Sequence, residues 1–139
     1  MNSKLAVLLD HYSASHQNPR NQLIHKVAVP LILFNLLGLL SQIAVFGLNF
    51  AWVAIVSAFA YYFQFRNFKV YLTISLQLIP IMLIIHFNPA PPVPFYTGIF
   101  IIGWIAQFVG HKIEGRKPSF FEDLQYLLIG PIWILKGLL

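Results

Sequence analysis

No aspartate, glutamate, lysine or arginine occurs from Val27 to Phe65, and none from Val70 to Gly110. A chain with two such stretches has few places to put them other than a lipid bilayer, because each is long enough for two helical crossings of roughly 20 residues. Breakers divide them into expected crossings near 27–47, 50–66, 69–87 and 95–111, joined through Gly47-Leu-Asn49, Arg66-Asn-Phe-Lys69 and Asn88-Pro-Ala-Pro-Pro-Val-Pro94. A further apolar segment, about 124–139, contains Gly130-Pro131 and is short, so it re-enters or lies along the interface more readily than it crosses. The expected fold is all-α: one polytopic membrane helix bundle over residues 1–139, with four to five transmembrane helices.

The cations set an orientation. Lys4, Arg20 and Lys26 precede the first crossing, Arg66 and Lys69 follow the second, and Lys112, Arg116 and Lys117 follow the fourth, so all three groups fall on one side. The positive-inside rule places that side, with the N-terminus and the 112–123 loop, in the cytoplasm. The net charge of +5 is thereby explained by topology and anionic headgroups, and no nucleic-acid partner is expected. The first 26 residues hold no apolar core followed by a small-residue cleavage site, so no removable signal peptide is expected. The chain has no cysteine, which excludes disulfides, thiolate metal sites and a cysteine nucleophile. Phosphate-cradling glycine loops, a serine elbow and an H-E-x-x-H helix are also absent.

Chemistry concentrates where the apolar stretches end. Asn18-Pro19 reads as a helix start, with asparagine as N-cap and proline at the first helical position. On that helix Asn21 and His25 are four residues apart and share a face, and His16, ahead of the cap, can fold back toward it. Pro30 frees the carbonyl of Lys26 just beyond this cluster. At the end of the fourth crossing Gln107, His111 and Glu114, spaced by four and three, form one stripe. Polar groups at such positions are costly unless a site uses them, and both clusters sit at the same depth on the same side. His16, His25 and His111 with Glu114 offer three imidazoles and a carboxylate, a set suited to Fe2+, with zinc the nearest competitor. Asn21 and Gln107 are placed to fix imidazole tautomers or hold a substrate oxygen.

Each of these residues also has a plainer account. A histidine at a helix end caps carbonyls or sits among headgroups, and Glu114 near Lys117 can be a solvated ion pair. His86, at the far end of the third crossing, reads as interfacial. His11 and Tyr12 belong to a polar N-terminal segment, with Tyr12 within reach of the site. Tyr61-Tyr62 and Phe63-Gln64-Phe65 are either interfacial aromatics or the wall of an acyl-chain groove. Asn35, Ser41, Gln42, Ser57, Ser75 and Gln77 read as interhelical hydrogen-bonding groups.

The two blocks His16-x-Asn18-Pro19-x-Asn21-x-x-x-His25 with Pro30, and Gly103-Trp104-x-x-Gln107-Phe108-x-Gly110-His111 with Glu114, Pro118, Leu124 and Pro131, resemble the small membrane 2-hydroxy-fatty-acid dioxygenases. Between the blocks only hydropathy matches. The resemblance implies a membrane-embedded Fe2+ enzyme that uses dioxygen to shorten a long-chain 2-hydroxy fatty acid by one carbon, with His16, His25 and His111 as metal ligands and Glu114 in the site. Two departures accompany it. The spacing from His111 to Glu114 and Pro118 is one residue shorter than the family's, and Ile132-Trp-Ile-Leu-Lys-Gly137 stands where the family carries an acidic residue. With no long polar tail and no retention signal, the expected location is a bacterial inner membrane, or the endoplasmic reticulum membrane in a eukaryote. Two alternatives stay open: a zinc-dependent membrane hydrolase with Glu114 as general base, and a non-catalytic membrane scaffold whose polar clusters serve helix packing.

Overall fold

The computed structural model describes residues 3–88, 91–115, 124 and 126–139. Its helices are α1 (Ser3–Ala14), α2 (Pro19–Ser41), α3 (Phe50–Phe63), α4 (Phe68–Phe87), α5 (Val93–Ile113) and the short α6 (Gly130–Ile134), which lies between 3-10 turns at Tyr126–Leu128 and Lys136–Leu138. Three of them, α2, α4 and α5, are long and apolar enough to cross a membrane. Helix α3 has 14 residues, about 21 Å at 1.5 Å per residue, shorter than a ~30 Å hydrocarbon core. Its expected extension to residue 66 fails because the chain turns at Gln64 and Arg66 takes a positive φ of 45°.

Three asparagines start three helices by the same chemistry. The side chains of Asn18, Asn49 and Asn67 accept hydrogen bonds from the backbone N–H of Arg20, Ala51 and Lys69, satisfying donors that have no intrahelical partner. Helix α2 ends at Ser41 rather than near 47 because the chain there forms a small hairpin. Ala44 pairs with Asn49 and Val45 with Leu48 across a turn whose central residues, Phe46 and Gly47, both have positive φ, the geometry that matches strand twist in a two-residue loop.

Helices α2 and α5 run antiparallel in the closest pairing of the bundle. Glycines allow it: a Cβ on Gly38 would come within 2.2 Å of the Tyr96 ring, and one on Gly103 within 2.7 Å of Ile32. Around this pair a core of Leu37, Ile55, Tyr62, Ile74 and Leu78 joins α2, α3 and α4, while Leu5, Leu9 and Tyr12 of α1 meet Ile129, Ile132 and Trp133 from the C-terminal segment. The outward faces of α2, α4 and α5 expose Leu23, Val27, Leu76, Ile79, Ile102 and Ile105, a surface suited to lipid rather than water.

Among the polar residues inside the crossings, Gln77 makes an interhelical bond, donating to Pro131 O at 2.7 Å. Asn35 and Ser41 instead bond back to Leu31 O and Gly38 O on their own helix. The C-terminal segment does not continue as a spanning helix. It packs into the bundle, held by Gln77, by the Tyr62 hydroxyl donating to Leu128 O at 2.8 Å and by Trp133 Nε1 donating to Ser13 Oγ at 2.8 Å. The expected cytoplasmic cations Arg116 and Lys117, with Pro118, lie outside the described residues.

Candidate metal centre

Because α2 and α5 are antiparallel, the start of one and the end of the other meet at the same end of the bundle. There the turn between α1 and α2 supplies His16, the second turn of α2 supplies His25, and the last turn of α5 supplies His111. All three are buried, at 2%, 1% and 6% exposure. Their ligating atoms lie within 4.8 Å of one another, and they form the group of potential metal ligands found among the described residues. Ring centroids are 4.2 Å apart for His16 and His25, 4.9 Å for His25 and His111, and 5.4 Å for His16 and His111.

Two of the rings are oriented by main chain. His16 Nδ1 lies 2.7 Å from Tyr12 O and His25 Nδ1 lies 3.1 Å from Asn21 O. A carbonyl can only accept, so each Nδ1 carries the proton and each Nε2 is left as the lone-pair atom, the form a metal ligand needs. Sequence reading offered the carboxamides of Asn21 and Gln107 either a hold on a substrate oxygen or this orienting task. The structure gives it to backbone carbonyls, because a histidine four residues along a helix can reach back to the carbonyl of its own preceding turn.

The Asn21 side chain has a different task. Its Nδ2 donates to Glu114 Oε2 at 2.9 Å and to Ser15 O at 3.2 Å. Asn21 Oδ1 is buried without a hydrogen-bond partner among the described residues. Gly110 makes room for it: a Cβ there would stand 2.3 Å from Asn21 Oδ1 and 3.1 Å from His25 Cε1. Gln107 is buried one turn before His111 on the same face of α5.

Glu114 sits beside the imidazoles but faces the α1–α2 turn. Its Oε1 accepts from Gln17 N at 2.8 Å and Asn18 N at 3.1 Å, and its Oε2 from Asn18 N and Asn21 Nδ2, both at 2.9 Å. Burial pulls its carboxyl upward, but those N–H donors, with the nearby His16, outweigh that and hold it below the usual carboxylate range. The carboxylate thus ties the helix end carrying His111 to the turn carrying His16 and to the helix carrying His25.

Two aromatic residues complete the wall. Tyr12 stacks on His16 at 4.2 Å and 13°, and the Trp133 ring lies 5.1 Å from His16 and 5.3 Å from Tyr12. Sequence reading left Tyr12 in a polar segment within reach of the site and gave Trp133 no role. The spacing of Leu5, Leu9 and Tyr12 by four and three, one face of a helix, was the signal that α1 is amphipathic and docks. His86 is exposed at the far end of α4 against Phe87.

Three buried imidazoles with two tautomers fixed and no thiolate in the chain fit a divalent transition-metal ion. Comparison with known proteins points the same way. The family model described as "2-hydroxy-palmitic acid dioxygenase Mpo1-like" matches residues 3–139. The 2-hydroxy-palmitic acid dioxygenase MPO1 of Saccharomyces cerevisiae is 32% identical over 136 residues, which cover 91% of this chain and 75% of that protein. No solved structure matches. With nearly every residue inside the match, the chain belongs to the Mpo1-like family.

Proposed function

We propose that this protein is an Fe2+-dependent dioxygenase, embedded in a membrane, that converts a long-chain 2-hydroxy fatty acid to the acid one carbon shorter. The observation that carries the reading is the buried cluster of His16, His25 and His111, whose ligating atoms gather within 4.8 Å at one end of the bundle. The name of the yeast relative supports the substrate class. Written with carbon dioxide as the one-carbon product, the conversion balances with one dioxygen and releases one water, so it needs no external reductant.

The three imidazoles would hold the metal, which when bound would supply the activation of dioxygen that the conversion requires. The Tyr12 and Asn21 carbonyls keep His16 and His25 in the ligating tautomer. Asn21 Oδ1 is the buried acceptor for the substrate hydroxyl, and Gln107 lines the same face. Lys26 and Lys112, exposed next to His25 and His111, draw the carboxylate in from the interface. Tyr12 and Trp133 keep water from His16. Glu114 positions the helix ends. Its carboxylate is engaged by main-chain and amide donors, which makes it a poor general base and weighs against the zinc-hydrolase reading. The cations gathered at the metal end support a reading in which that end and the N-terminus face the cytoplasm.

Purified protein should contain iron and release the shortened acid in air. Chelation or strict anaerobiosis should abolish turnover, and iron, not zinc, should restore it. Full activity without bound metal, or under nitrogen, would overturn the assignment.

A further inference from the structure

Against the C-terminal segment, bounded by α2, α3 and α4, is a partly open cavity of about 80 Å³ lined by Leu36, Ala54, Ala58, Ile74, Gln77 and Pro131, among others. It far exceeds the roughly 10–15 Å³ one water needs, but a buried water also needs two to four polar partners. The polar side chains of the lining are already engaged: the Tyr62 hydroxyl on Leu128 O and Gln77 Nε2 on Pro131 O. Gln77 Oε1 is the one buried side-chain acceptor left open there among the described residues. Such a space suits hydrocarbon rather than water.

Its position relative to the imidazoles is specific. Along α2, Leu33 of the lining follows His25 by eight residues, two turns, with Val29 midway. Along the C-terminal segment, Pro131 of the lining is two residues from Trp133, which touches His16. Gly130, next to Pro131, packs closely on Val29 and Tyr12: a Cβ there would stand 3.4 Å from Val29 Cγ1 and 3.2 Å from the Tyr12 hydroxyl.

We propose that this cavity receives the end of the substrate's acyl chain, so that Ala54 and Ala58, whose small side chains leave the space open, set the chain length the enzyme prefers. The inference rests on the dioxygenase reading above. A carboxyl end among the histidines and a tail passing Val29 and Gly130 would lie roughly parallel to α2, inside the bundle and not against its lipid-facing side. The cavity wall then measures the chain: each methylene that loses its place should lower kcat/KM about four-fold, from about 0.8 kcal/mol per buried methylene.

The test uses the iron-loaded wild type and the variants Ala54→Phe and Ala58→Phe on 2-hydroxy acids of graded length. Both variants should keep the wild-type metal content, lose at least ten-fold in kcat/KM on the sixteen-carbon acid, and shift their optimum to acids at least two carbons shorter. An unchanged length profile in folded, metal-replete variants would overturn the proposal. A second measurement does not depend on how the variants fold. A 2-hydroxy fatty acid with a photoreactive diazirine at its tail, irradiated with the wild type, should label Leu36, Ala54 or Ala58. Labelling confined to outward residues such as Val27 or Ile102 would overturn it and identify the occupant as ordinary bilayer lipid. Failure of the dioxygenase reading looks different: no 2-hydroxy acid of any length is shortened, whatever the label touches.

Discussion

Gly110, Asn21 and Glu114 show how single residues set the separation of the imidazoles. A methyl group on Gly110 would collide with Asn21 Oδ1 at 2.3 Å and crowd His25. Gly110→Ala is therefore expected to destabilise the protein by about 1–3 kcal/mol, as overpacking does, and to lower its iron content, checked by thermal unfolding in detergent and by metal analysis. Glu114 acts through charge. Its carboxyl is held below its ordinary range in the folded protein, so its contribution to stability is fully present above the pKa of an unfolded carboxyl and is lost as pH falls through the lower folded value. Glu114→Gln should accordingly melt below wild type at neutral pH. The gap should close in acid, and a Tm difference independent of pH would contradict the role assigned to the charge. Because Glu114 fixes the elements that carry the ligands, the same variant should weaken metal binding by about 10- to 100-fold, measured by competition with a chelator.

At the scale of elements, the C-terminal segment is held both by packing and by hydrogen bonds, and the two can be separated. Trp133→Phe keeps a ring against Tyr12 and His16 but removes the donor to Ser13 Oγ, and should cost about 1 kcal/mol. Trp133→Ala also opens a void and should cost about 3–5 kcal/mol. Equal losses in thermal unfolding would mean that the hydrogen bond alone holds α6. Sequence reading located the start of α2 and the spans of α4 and α5 closely, because an asparagine cap with Pro19, or an uninterrupted apolar run, leaves a helix little choice. It overextended α2 and α3, since hydropathy runs on past Ser41 and Phe63 while the chain leaves the helix there for the hairpin over residues 44–49 and the turn over residues 64–66. The histidine cluster was legible because His25 and Asn21, and His111 and Gln107, are each four apart on a helix. The carbonyls that orient the rings were not, since main-chain atoms leave no letter in a sequence. Trp133 was equally hidden, because its contact with His16 joins residues far apart along the chain.

For the whole molecule, the distribution of charge predicts an orientation that can be measured directly. The native chain has no cysteine, so single cysteines report cleanly. Phe46→Cys, at the fully exposed hairpin tip, should react with an impermeant thiol reagent from outside the cell, and Lys4→Cys only after the inner face is opened. The opposite pattern would invert the topology. In the expected orientation the histidine cluster would lie at the inner face, at the end of a bundle whose sides present apolar residues to lipid. Helix α1 is the least membrane-like element there, yet the carbonyl of its Tyr12 holds the ring of His16, and its Ser13 anchors Trp133. Detaching this helix would at once rotate one imidazole and strip the aromatic cover from it. Docking of the amino-terminal helix and assembly of the three-imidazole cluster are thereby coupled, and any partner or headgroup that peels the helix away would disperse the cluster without touching His25 or His111.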